Sequence, residues 1–267
     1  MRRPEHLPDY SKPPLDEVVL GVQFAPIPNF TSVDTNGVWA LFKDDFPTVE
    51  EHPRLPPQFE TFGGSNPRPK IQFQVGSSPT GSRLWFVTAD DNHLIQFQTD
   101  RFLTNWRKRE NLQPYPHFEE IVESFQANIA LLADHLERSF SYELQINQAE
   151  VTYVNIIPVA DFSDAANWFS IWNHSPLNIE ALNTSFNEVV LDGSGKPMAR
   201  LFHEIQSAFS IDEKHKAFKL SLTFRGKPAR QDVASAIEFL RAGREAIVTR
   251  FDEMTSEQAH KLWERLE

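Results

Sequence analysis

The chain has 267 residues, 40% hydrophobic and 24% charged, which is apolar enough for a folded core and excludes a disordered chain. Its 26 basic and 37 acidic residues leave a net charge of −11, which disfavours a broad nucleic-acid footprint. The absence of cysteine excludes disulfides, thiolate metal sites and cysteine nucleophiles.

No apolar run approaches the ~18 residues needed to span a bilayer. The opening Met-Arg-Arg-Pro-Glu-His-Leu-Pro lacks the apolar core of a signal peptide, so a cytoplasmic protein without membrane contact is expected. Pro4, Pro8, Pro13 and Pro14 withhold backbone donors, which predicts an extended arm over residues 1–14. A strand is expected over 18–24 and a helical stretch over 37–46, followed by a proline- and glycine-rich loop over 47–69. Strands are then expected over 71–75, 84–88 and 94–99. In the first, Ile71, Phe73 and Val75 alternate with Gln72 and Gln74; in the third, Ile95 and Phe97 alternate with Gln96 and Gln98.

From 117 to 138 the apolar residues Phe118, Ile121, Val122, Phe125, Ile129, Leu132 and Leu136 recur every three or four positions, the stripe of an amphipathic helix. The order of elements then repeats. A strand is expected over 150–158, a short helical stretch over 164–172, strands over 187–191, 199–209 and 217–224, and a long helix over 232–254. Thr255 and Gln258 suggest a capping box for a last helix. The reading is an α+β protein of two similar β-α-β-β-β-α halves, 15–148 and 149–267. Together they form one curved antiparallel sheet with the long helices packed on one face.

Three separated segments carry a resemblance: PPLDEVVLGVQF at 13–24, QFQTDRFLTNWR at 96–107 with YPHF at 115–118, and VTYVN at 151–155. They resemble a sporadically distributed bacterial protein family of unknown function. That resemblance brings no reaction or catalytic residue. The patchy distribution is similar to that of horizontally moved genes, and implies a role in phage defence or in a toxin–antitoxin pair.

Catalytic motifs fail on spacing. A phosphate-binding loop around Gly195-Lys196 would need glycine at 190 and Ser or Thr at 197, where the chain has Val190 and Pro197. His203-Glu204 has no second histidine at helical spacing, and on a strand the two side chains point to opposite faces. No Gly-x-Ser-x-Gly elbow is present, and Asp44-Asp45, Glu50-Glu51 and Glu119-Glu120 read as solvated faces. No cofactor or metal is expected, and catalysis is not favoured.

Two surfaces remain as candidates. Gln23, Gln72, Gln74, Gln96 and Gln98 would share an uncovered sheet face, a layer of amides able to contact a partner without burying charge. Lys219, Ser221, Thr223 and Arg225 would continue it in the second half. Trp106, Arg107, Lys108 and Arg109 form the densest basic and aromatic cluster, either a clamp for phosphate or an anchor for the following helix. The expected function is a non-catalytic binding or assembly module for a macromolecule, a protein first. The alternatives are a nucleic-acid or nucleotide binder using the Trp106–Arg109 cluster and the sheet face, and an unrecognised hydrolase.

Overall fold

Residues 4–63, 82–109, 114–172, 178–210 and 215–266 are described by the computed structural model. The first half contains β1 (Asp9–Tyr10), β2 (Leu15–Phe24), α1 (Thr35–Ala40), β3 (Thr48–Pro53), β4 (Ser82–Val87), β5 (His93–Gln98), β6 (Arg101–Arg107) and α2 (His117–Phe140). The second contains β7 (Ile146–Val159), α3 (Ala165–Trp168), β8 (Asn183–Leu191), β9 (Pro197–Phe209), β10 (Lys216–Gly226), α4 (Val233–Met254), α5 (Glu257–Leu262) and β11 (Arg265–Leu266).

The alternating segments resolve into one open nine-stranded sheet, ordered β3-β4-β5-β6-β2-β7-β10-β9-β8, every neighbouring pair antiparallel. The fold is therefore α+β with a large antiparallel sheet. The halves meet where β2 pairs with β7. Alternation decides which face is apolar: Val18, Leu20, Val22 and Phe24 on β2, and Phe218, Leu220, Leu222 and Phe224 on β10, all join the core. All seven stripe residues of α2 are buried in that same core, as are Ile237, Leu240, Ile247 and Phe251 of α4. Asp232 caps α4 by accepting from the Ser235 amide at 2.7 Å, and α4 packs against β7 and β10.

Several boundaries differ from expectation. The 47–69 loop contains β3, which pairs with β4 along its full length. Residues 101–107, which lie outside the elements expected on sequence grounds and include Trp106 and Arg107 of the basic cluster, form a strand in the sheet interior, because Phe102, Thr104 and Trp106 alternate with Leu103 and Asn105 against the partner strands β2 and β5. The last helix is capped by Ser256, which accepts from the Ala259 amide, and not by Thr255, whose hydroxyl donates back to the Phe251 carbonyl. The strand expected at 71–75 lies outside the described residues.

The arm is part of the fold. β1 pairs with β11, the Ser11 and Lys12 amides donate to Glu264 and Trp263, and the Tyr10 hydroxyl donates to Asp252 at 2.6 Å. Prolines deny donors at 8, 13 and 14, and the residues between them supply the ones that pair.

Gly243 sets how closely α4 approaches the sheet. A Cβ there would lie 2.5 Å from Val151 Cγ1 and 2.6 Å from Phe224 Cδ1. Gly243→Ala gains helix propensity, yet it is expected to lower stability by about 1–2 kcal/mol through overpacking. The expected readout is a lower urea midpoint at unchanged slope.

Candidate functional site

The glutamine layer exists, but it is covered. Gln23 and Gln98 are only 4% and 1% exposed, and what lies over them is the protein's own chain, residues 54–62. This segment, here termed the strap, leaves β3 and crosses the polar face of the sheet. The Leu55 amide donates to Gln98 Oε1 (3.0 Å), and Gln98 Nε2 donates back to the Leu55 carbonyl (3.0 Å). Arg101 donates to the Pro56 carbonyl, the Gln58 amide to Gln23 Oε1 (2.9 Å), and the Glu60 amide to Gln148 Oε1 (3.2 Å). Glu60 then meets Arg225 Nε at 2.8 Å and the Arg200 guanidinium, which also donates to the Thr61 carbonyl. In spatial order the strap is held by β5, β6, β2, β7, β10 and β9.

The expectation of an open amide surface is corrected accordingly. Pro56 and Pro57 carry no amide hydrogen, and the donors that remain at 55, 58 and 60 each find a glutamine carbonyl. The carbonyls of Gln23, Gln98 and Gln148 serve the strap, which covers them from a partner. Gln96 is also buried, donating to Asn105 (2.8 Å) and accepting from Arg83 (2.9 Å). Gln72 and Gln74 lie outside the described residues.

The basic cluster divides. Trp106 is buried on the core side of β6, its ring 5.0 Å from that of Tyr115, so it anchors the sheet to the start of α2 and is not an exposed stacking plate. Arg107 and Arg109 converge on Asp91, the latter at 2.6 Å, and the Arg107 guanidinium lies 5.7 Å from the Trp85 ring. Lys108 is exposed. On β10, Lys219 is exposed while Arg225 is engaged by Glu60, Gln58 and Glu150. The sites expected on sequence grounds therefore do not assemble into one exposed surface among the described residues. Among the described residues, no three histidine, aspartate or glutamate side chains come close enough to hold a metal ion.

His203 and Glu204 do occupy opposite faces of β9. His203 is buried on the core side, stacked on Phe186 at 4.4 Å between ring centroids. Glu188 Oε1 lies 2.8 Å from its Nε2, and Glu188 also binds Arg250 at 2.7 Å. Burial pulls the imidazole below its ordinary range; Glu188 opposes that shift and does not reverse it.

The surface that the sequence did not single out is the edge strand β8. Its outer side pairs with nothing among the described residues. Val189 and Leu191 are 48% and 54% exposed, and Phe186 is exposed as well. Its one charged residue, Glu188, is turned to His203 and Arg250. The opposite edge, β3, carries Glu50, Glu51, His52 and Pro53, the charges and proline that usually blunt a strand edge. β8 has neither lysine nor proline, and its ladder with β9 runs regularly from Asn183 to Val190 before a single register shift at Leu191.

No protein-family model and no curated protein matches the chain.

Glu60→Ala is expected to cost about 2–4 kcal/mol, because it strands two arginines over the sheet. The amides of residues 55, 58 and 60 should lose hydrogen-exchange protection before the sheet does, and Glu60→Gln should lose less. For His203 the folded state binds its proton less readily than the unfolded chain. Stability is therefore full above the unfolded value of ~6.5 and falls as pH drops below it. His203→Gln should flatten the stability slope between pH 7 and 5 by up to about 1 kcal/mol per pH unit in chemical denaturation.

Proposed function

We propose that this protein is a non-catalytic binding module that accepts an extended segment of a protein partner along the free side of β8. We infer further that its halves are an internal duplication forming one curved sheet, with both long helices on one face. Support for the duplication comes from strand order. Outward from the seam the first half runs β2-β6-β5-β4 and the second β7-β10-β9-β8. Each half closes with a long helix, α2 or α4.

The observation that carries the binding reading is the difference left when the halves are superposed in order. β3 is the fifth strand of the first half, antiparallel to β4. β8 is the counterpart of β4, and no described residue fills the corresponding place beside it. A strand adding there would gain the backbone hydrogen bonds that β3 gains from β4, and Val189 and Leu191 would supply apolar contact. The nucleic-acid alternative loses support where Arg107 and Arg109 are both engaged by the Asp91 carboxylate and Trp106 faces the core. A role in bacterial conflict rests on the family resemblance alone.

The test uses the full chain with a partner isolated from the host and identified. Val189→Lys with Leu191→Lys places charge on two exposed positions, so the fold should persist while affinity drops at least about tenfold. Binding should protect the β8 amides from exchange and change little between 50 and 200 mM salt. Unchanged affinity in the double variant, a steep salt dependence, or self-association through β8 in place of a partner would each overturn the reading.

A further inference from the structure

A cavity of about 260 Å³ lies between the arm, the beginning of α2, β7 and α4. That is roughly nine times the ~30 Å³ share of one water in the liquid, room for a small organic molecule. Leu15, Phe118, Ile247, Val248 and Phe251 give it apolar walls, and residues 8–11 of the arm lie along its rim. Tyr115, Tyr153, Asn155 and Arg244 line its inner side, with His117 at the start of α2 and Asp9, Tyr10 and Ser11 from the arm.

Arg244 is the buried cation of this cavity. It lies within α4, 5% exposed, and its Nε has no hydrogen-bond partner among the described residues. Its nearest carboxylate, Glu119, stands 3.5 Å from the guanidinium, beyond the 2.7–2.9 Å usual for a charge-assisted bond, and the Phe118 ring lies 5.6 Å away. A buried cation held this loosely is costly unless an anion completes it. Beside it the hydroxyls of Tyr115 and Tyr153 are 3.3 Å apart. One donates to the other, which leaves one O–H to offer. Burial pushes both phenols upward, Tyr153 to about 12, so both stay protonated donors at neutral pH. His117, also lining the cavity, is held at φ 61°, a left-handed conformation unusual for a residue with a side chain.

We infer that this cavity is a binding site for a small monocarboxylate with an apolar body, its carboxylate on Arg244 and the tyrosine pair and its body against Ile247, Val248 and Phe251. The guanidinium supplies donors and no acceptor, and the O–H left over from the tyrosine pair adds another donor, which favours a carboxylate over an amine at this end of the cavity. Glu119 already sets one negative charge against Arg244, so a dianion is disfavoured more strongly than a monoanion.

The probes are phenylacetate and its uncharged match phenylacetamide, titrated calorimetrically into the full chain, with the melting temperature followed in parallel. Phenylacetate is expected to bind at one site per chain and raise the melting temperature. Phenylacetamide should bind at least about tenfold more weakly. Arg244→Met should abolish the preference for the acid over the amide, and Tyr153→Phe should weaken acid binding severalfold. Should Arg244→Met fail to fold, Val248→Phe fills the cavity from a half-buried wall position and should block binding without lowering the melting temperature. Equal affinity for acid and amide, no binding of either, or acid binding that survives Val248→Phe would overturn the assignment.

Discussion

The constraint on which the rest of the architecture depends is that a polar group taken out of water must find a partner. The strap applies it twice over. Extended backbone laid across a sheet carries donors and acceptors that no ladder satisfies, and a sheet face lined with amides carries the same surplus. Each cancels the other: the Gln98 side chain exchanges two hydrogen bonds with Leu55 as a neighbouring strand would, while Gln23 and Gln148 accept from the next amides along. Glu60, set between Arg200 and Arg225, fixes the far end. Beneath the strap the polar face of the sheet is thereby a second interior, hydrogen-bonded where the first is apolar.

Much of the fold was legible because it rests on local periodicity. The α2 stripe and the apolar alternation of β2 and β10 are statements about one face of one element, and burial follows them residue by residue. The pairing of glutamines on one face was legible for the same reason. What covers that face was not, since the strap belongs to a proline-rich stretch whose partners are distant in sequence: Leu55 is 43 residues from Gln98 and Glu60 is 165 from Arg225. Proline signalled the absence of helix and said nothing about where an extended chain would lie. β6 was hidden differently, because Arg101 and Arg107 at its ends and the basic residues after it masked an alternation that tertiary pairing makes dominant.

The candidate sites were less legible than the fold. Trp106 and Arg107 stood out as a cluster because they are adjacent in sequence, but on a strand adjacent residues face opposite ways, so one anchors the core and the other lies on the polar face. Arg244 gave no signal at all: a single arginine in a charged helix reads as solvent-facing, and only the meeting of α4 with the start of α2 and with β7 encloses it. The free edge of β8 was equally silent. Its composition is that of any moderately apolar strand, and what makes it unusual is its place at the end of the sheet opposite the guarded β3.

The joining of the arm to the far end of the chain has a consequence for assembly. β1 and β11 bring residues 9–10 beside 265–266, and the Asp252 carboxylate ties Tyr10 to Arg265. The arm that lines the rim of the Arg244 cavity is thus held by a contact between segments distant in the chain, Tyr10 and Asp252 being 242 residues apart. During synthesis the sheet can be laid down strand by strand, but that rim stays unfinished until about residue 263 has left the ribosome. Chains cut short near the end would keep nearly all of their core and lack a completed cavity.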